Sequence, residues 1–208
     1  VAWGYTEYGQ VRVPKGLTNV VAIAAGGDHS LALRGDGTVV AWGSNGSGQA
    51  SVPEGLTDVT AIAAGLDHSL ALRGDGCVVA WGWNQSGQAS VPEGLTNVIA
   101  IAAGDLHSLA LRSDGRVVAW GGNNTGQTRV PDGLTNVVAI AAGGYHSLAL
   151  KRSVTPLPSG LTLSRAGELS GMPVLAGTYR PTFVVQNSSG SQATKEVEFV
   201  IAPNPNTP

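Results

Sequence analysis

The chain has 208 residues with 12 basic and 14 acidic side chains, a formal net charge of −2, and 12% charged residues against roughly 25% in ordinary globular proteins. That balance provides no electrostatic footprint for nucleic acid or an anionic membrane surface, and no apolar run approaches the about 20 residues of a membrane span. A single cysteine, Cys77, excludes an intrachain disulfide and a thiolate zinc site.

Low charge combined with 30 glycines and many Ser, Thr and Asn suits a turn-rich all-β protein. Self-similarity is immediate. His29, His68, His107 and His146 are evenly spaced, and the same interval separates Trp3, Trp42, Trp81 and Trp120, and again Pro14, Pro53, Pro92 and Pro131. Four copies without an insertion imply identical units stacked on one another.

Within one unit the elements follow in order. "NVVAIAAGG" from Asn19 is rich in Ala and β-branched residues and predicts an inner strand, where crowding demands small side chains. "HSLALRG" alternates, with Leu31 and Leu33 on one face and Ser30 and Ala32 on the other. "RGDG" is a tight turn, since Asp-Gly tolerates positive φ. "TVVAWG" predicts a third strand carrying the tryptophan, and "SNGSG" a loop. "QASVP" predicts a short outer strand whose proline is acceptable only at an edge. Four short antiparallel strands in each repeat make a propeller blade. The chain opens with the third and fourth strands of a blade, Val1 to Pro14, and the repeats end with a first and second, Leu134 to Leu150. Joined, they would complete the last blade and close the ring.

"VVAIAAGGDHSLALRGDGTVVAWGSNGSGQ" resembles the regulator of chromosome condensation repeat, with its A-A-G-x-x-H-S-L-A-L and W-G-x-N-x-x-G-Q blocks. The unit ending in "SVP" is similar to the bacterial form found in β-lactamase inhibitor protein of the second type. The resemblance covers Val1 to about Lys151 and implies a propeller, seven-bladed in members of known structure. Four units leave a four-bladed ring, an open arc, or a piece of a longer array. From Val154 the period stops, and "TYRPTFVVQN" and "TKEVEFVI" predict at least two more strands. "LPSGLTLSRAGELSGMPVLAGTY" resembles the second half of a bacterial immunoglobulin-like domain. The expected organisation is an all-β propeller over 1–152, a partial immunoglobulin-like β-sandwich over 153–202, and a Pro-rich linker over 203–208.

Variation among the copies is uneven. In a meander, the connections between strands one and two and between three and four share one face of the ring. There the residues differ: Tyr5, Glu7 and Tyr8; Asp28; Leu66 and Asp67; Trp83, Asn84 and Gln85; Asp105 and Leu106; Asn123 and Asn124; and Tyr145. The turns of the opposite face are nearly constant. Aromatic and acidic residues on one rigid face are how a partner-binding surface is built. In the bacterial inhibitor these loops supply the contacts, with aromatics before each His. Here only Tyr145 is aromatic at that place, which argues against β-lactamase as the target. Nucleotide exchange, implied for eukaryotic relatives, finds no residue-by-residue counterpart.

Chemistry is not expected. The four His are read as bonding backbone within their own blades rather than sharing a metal. Asp28-His29-Ser30 cannot form a triad, because adjacent strand residues point apart. Arg34-Gly35-Asp36 and Arg73-Gly74-Asp75 are explained by the turn. The reading is a non-enzymatic macromolecule-binding module of a secreted or cell-surface bacterial protein, with a protein or glycan ligand. No cofactor, metal, nucleic acid, membrane insertion or small-molecule substrate is expected. A structural spacer without a specific ligand, and an enzyme inhibitor, are the alternatives.

Overall fold

A computed structural model describes residues 1–152 and, in the C-terminal part, the backbone of 161–163, 169–171, 177–179, 182–186, 192–196 and 199–201. The chain divides into two compact units, Val1–Arg152 and Ser153–Pro208. The described residues are all β. In the first unit, β1 (Val20–Ala25), β2 (His29–Arg34) and β3 (Val39–Gly43) form one antiparallel sheet. The elements β4 (Val59–Ala64), β5 (His68–Arg73) and β6 (Val78–Gly82) form a second sheet, and β7 (Val98–Ala103), β8 (His107–Arg112) and β9 (Val117–Gly121) a third. A two-stranded sheet follows, β10 (Val137–Ala142) with β11 (Ser147–Lys151). These sheets are the propeller blades expected from the repeat.

The first strands β1, β4, β7 and β10 approach one another in succession, so they line the inner side of the arc. Their alanines permit that approach. Each begins with a register shift, as between Val20 and Ala22, a bulge that increases local twist. Before each stands Asn19, Asp58, Asn97 or Asn136, with φ of 57–59°. Asn and Asp are the non-glycine residues that tolerate this left-handed region best.

The core lies between blades. Leu31 and Leu33 of the first blade meet Val59, Ala71 and Trp81 of the second, with Val39, Ala41, Val52, Leu56, Ile62 and Val79 around them. The same set recurs one repeat on, with Leu70 and Leu72 against Val98, Ala110 and Trp120. Leu31 is 0% and Trp81 7% exposed. One sheet face gives leucines to the following blade, and the other gives alanine and tryptophan to the preceding one.

Two expectations fail. "QASVP" is not a fourth strand: Gln49–Pro53 joins no ladder and turns through Ser51 N to Gly48 O. Its Val52 packs against the buried set of Leu31, Leu33, Val59, Ala71 and Trp81 between the first two blades, so the segment is a wedge in the seam. Pro53 lacks an N–H for a ladder and costs nothing there. Nor does Val1–Pro14 complete the last blade. The Gln10 carbonyl accepts from Ser30 Oγ at 2.9 Å and Trp42 Nε1 at 2.8 Å, which fixes that segment on the first blade. Trp3 is then 83% exposed, and β11 pairs with β10 alone.

In the second unit β12 (Leu161–Leu163) pairs with β13 (Leu169–Gly171). The strand β14 (Gly177–Tyr179) pairs with β17 (Phe199–Ile201), and β15 (Thr182–Gln186) with β16 (Gln192–Glu196) in the same continuing register. Strands expected in "TYRPTFVVQN" and "TKEVEFVI" are thus present. The linker over 203–208 lies outside the described residues.

Trp81 fills the seam, whereas Trp83 stands half-buried outside both apolar clusters, less exposed than its loop position led us to expect. Trp81→Ala is expected to cost about 3–5 kcal/mol and Trp83→Ala under about 1 kcal/mol, as measured by urea unfolding.

Candidate binding face

The loop face is assembled by backbone hydrogen bonds. Ser44 N donates to Asp28 O at 2.7 Å, Trp83 N to Asp67 O at 2.8 Å and Gly122 N to Leu106 O at 2.7 Å. Each joins the loop after a third strand to the loop before a His. Between blades, Gly27 N donates to Gly65 O, Leu66 N to Asp105 O and Asp105 N to Gly144 O. The loops before the histidines therefore make one continuous rim, around a shallow mouth lined by Gly27, Leu66, Asp105 and Gly144.

Beneath the rim sits a glutamine in each repeat, buried at Gln10, Gln49, Gln88 and Gln127. The Gln49 carbonyl accepts from Ser69 Oγ at 2.8 Å and from Trp81 Nε1 at 2.9 Å. Its Oε1 accepts from Ser47 N at 2.9 Å, and its Nε2 donates to Asp67 Oδ1 at 2.8 Å. Gln10 repeats the last bond with Asp28 at 3.1 Å. Sequence reasoning missed these glutamines, although an unchanged Gly-Gln in all four copies was the signal.

This network sorts the candidate residues. Asp28 and Asp67 are engaged by Gln10 and Gln49, so their carboxylates support the loops. Asn84 closes its own loop through Ala89 N and Ser90 Oγ, and Asn123 accepts from Thr128 N. The residues presented outward are Tyr5, Glu7, Tyr8, Leu66, Gln85, Asn124 and Tyr145, with Trp83, Asp105 and Leu106 partly covered. Tyr5 and Tyr8 pack edge to face at 6.4 Å, and the Tyr5 hydroxyl bonds Glu7, which raises its pKa. In the third repeat Leu106 occupies the place of Asp67, and the buried Gln88 Nε2 has no partner.

The histidines do not bond within their own blades, as the sequence reading had it. His29 Nε2 meets Ser69 Oγ of the next blade at 2.9 Å, His68 meets Ser108 at 3.0 Å, and His107 meets Ser147 at 3.0 Å. Each serine hydroxyl is spent on a glutamine carbonyl, so the imidazole donates. Ser69 and Ser108 are fully buried, beyond the reach of a substrate. Each ring also lies against a glycine: a Cβ at Gly65 would stand 2.2 Å from His68 Cε1 and 2.4 Å from Gly104 O. Burial lowers the pKa of all three, His68 to about 4, where His29 and His107 add to the effect.

On the opposite face the constancy has a local cause. Asp36 Oδ1 accepts from Thr38 N at 3.0 Å and Thr38 Oγ1 at 2.6 Å, which lowers its pKa, and a Cβ at Gly35 would meet the Asn19 side chain at 3.0 Å.

Comparison with known proteins agrees with this geometry. Residues 20–49, 59–88 and 98–127 match the family described as "Regulator of chromosome condensation (RCC1) repeat". Residues 118–202 match the family described as "Putative Ig domain", overlapping the third repeat at its β9. No curated protein matches the chain. The crystal structure of Prp20p from Saccharomyces cerevisiae, studied for its binding to Gsp1p and histones, aligns at TM-score 0.57 and 27% identity. It covers 68% of this chain and 44% of its own. Yeast RCC1 (Prp20) with Kap60 bound aligns at TM-score 0.56 and 26% identity, over 77% of this chain and 44% of that one. The ectodomain of the receptor kinase CR4 from Physcomitrella patens shares the fold at TM-score 0.62 and 23% identity, over 90% and 58%. This chain spans less than half the length of the two yeast structures.

Two outcomes test the network. Leu106→Asp supplies the carboxylate that Gln88 lacks and is expected to add about 0.5–1.5 kcal/mol of stability, read by thermal melting. Stability should also depend on pH through His68. Between pH 6.5 and about 4 the unfolded chain binds a proton that the folded one refuses, so stability falls as pH drops through that window. The loss for His68 is on the order of 3 kcal/mol, and His68→Gln should flatten the profile measured by urea unfolding. Residues 20–49, 59–88 and 98–127, the three stretches that match the regulator of chromosome condensation repeat, are thus each set in a three-stranded propeller blade.

Proposed function

We propose that the repeat unit is a non-enzymatic binding module of a secreted or cell-surface bacterial protein, holding a protein ligand on its loop face. One observation carries the reading. The outward side chains that differ between repeats include Leu66 and Tyr145, in the loops before the histidines, and Tyr5 and Tyr8, in a loop that the buried Gln10 holds from below through Tyr8 N. Tyrosine offers contact area at low entropic cost, and a rim that does not reorganise loses little on binding. Its constant part is the glutamine network, so the side chains above it can change without disturbing the fold.

Prp20p binds Gsp1p and histones and is seen with Kap60, which supports protein recognition as a use of this repeat. The buried His–Ser pairs support a structural rather than a catalytic role. The immunoglobulin-like match supports a multi-module protein of the cell exterior.

The test is capture of extracellular proteins of the source organism on the immobilised chain, with two variant sets. Tyr8→Ala, Leu66→Ala and Tyr145→Ala should each weaken capture by about 2 kcal/mol or more where they act as anchors. Replacement of Arg34, Asp36, Arg73 and Asp75 on the other face should leave it unchanged. Loss only with the second set would move the site to that face. Equal capture by all variants would favour a spacer.

A further inference from the structure

The orphaned amide of Gln88 marks one place on the rim. In the preceding repeat Gln49 Nε2 donates twice, to Asp67 Oδ1 at 2.8 Å and to Ser44 Oγ at 3.3 Å. One period on, Leu106 holds the place of Asp67, and Trp83 the place of Ser44. Both acceptors are thus replaced by apolar side chains. Gln88 is nevertheless 0% exposed, and its Oε1 still accepts from Ser86 N at 3.0 Å. Among the described residues its Nε2 has no partner. A buried donor left unpaired carries its desolvation cost in full, and an acceptor brought to it offsets that cost.

We propose that Gln88 Nε2 is a ligand contact: between the apolar walls Leu106 and Trp83 it takes an amide carbonyl of the protein ligand, the counterpart of the Asp67 carboxylate one repeat earlier. This rests on the loop face being the binding face. Leu106, only partly buried, is the movable cover. Its neighbour leaves it space. Gly122 N donates to Leu106 O at 2.7 Å, in the way that Trp83 N does to Asp67 O and Ser44 N to Asp28 O, but Gly122 sets no side chain beside it. A Cβ there would stand 3.2 Å from Leu106 Cβ. With glycine in that place, Leu106 can change to a second staggered rotamer and uncover the amide. Apolar walls around one fixed donor are the usual composition of a recognition pocket.

The donor determines the chemistry of the group it receives. An N–H requires an acceptor, and charge selects a neutral one. The loops of this face carry Glu7, Asp28, Asp67 and Asp105 and no Lys or Arg. A carboxylate would meet like charge there, and once buried it would need more than one donor. An amide carbonyl, from a peptide bond or from an Asn or Gln side chain, needs little more than Gln88 offers. Its flat, weakly hydrated plane also suits contact with the Trp83 indole.

Nuclear magnetic resonance of the full chain labelled with ¹⁵N tests this, because it reads the side-chain amides of Gln88 and Gln49 separately. The probes are N-acetylglycine N-methylamide, whose only acceptors are amide carbonyls, and acetate as the carboxylate. The Gln88 amide should shift saturably with the first probe, while Gln49, already engaged by Asp67 and Ser44, should not. Trp83→Ala should weaken the response about three- to tenfold. Leu106→Asp should abolish it while raising the melting temperature, which separates loss of the site from loss of the fold. No saturable shift at Gln88, equal shifts at Gln88 and Gln49, or a stronger response to acetate would overturn the proposal. So would a response unchanged by Leu106→Asp or by Trp83→Ala. Capture weakened by Tyr145→Ala with Gln88 silent would reject this contact and keep the face. Equal capture by all variants with Gln88 responding would reject the face alone.

Discussion

A single backbone carbonyl, recurring once in every repeat, holds the blades together. The Gln49 oxygen accepts the Ser69 hydroxyl on one lone pair and the Trp81 indole on the other. Ser69 in turn receives His29 from the preceding blade. One chain of bonds thus passes from imidazole to hydroxyl to carbonyl to indole, and it crosses the seam where Leu31 and Leu33 are buried. Buried polar groups are costly unless partnered, so the apolar seam and this network depend on each other. Take away the serine, and the imidazole and the carbonyl each lose a partner in a dry place.

The network also explains why the loop face can vary at all. Gln49 Oε1 holds the loop at Ser47, and its Nε2 reaches the rim at Asp67. The backbone is thereby tied down by atoms that do not appear at the surface. Where that tie changes, at Leu106, the partner below is left unsatisfied rather than the loop reshaped.

Much of this was legible in the sequence, for physical reasons. A strict period and alternating Leu residues define strands and their faces, and Asp-Gly defines the hairpins. Which loops share a face follows from the meander alone. What remained hidden was what the period does between units. Nothing local in "HSLAL" says that His29 bonds the next blade instead of its own, because the partner Ser69 lies in the following repeat. "QASVP" looked like an edge strand since its composition permits one, and only the seam shows that Val52 is needed as a wedge. Asp28 and Asn84 looked free because polar loop residues look alike until their partners are known. Closure of the last blade failed for a similar reason. Nothing local to Val1–Pro14 says that the Gln10 carbonyl is held by Ser30 and Trp42 of the first blade.

The reach of the His–Ser bond has a consequence for how such arrays lengthen or shorten. Each bond leads from a histidine to the serine just after the next repeat's histidine, so every unit carries the donor for its successor and the acceptor for its predecessor. A genetic duplication or deletion of a whole period, wherever its boundaries fall, hands on an intact series of donors and acceptors. A change that removes one histidine or one serine opens the bond at that seam alone, and every later pair keeps its partner. Copy number can therefore drift while each remaining seam stays closed.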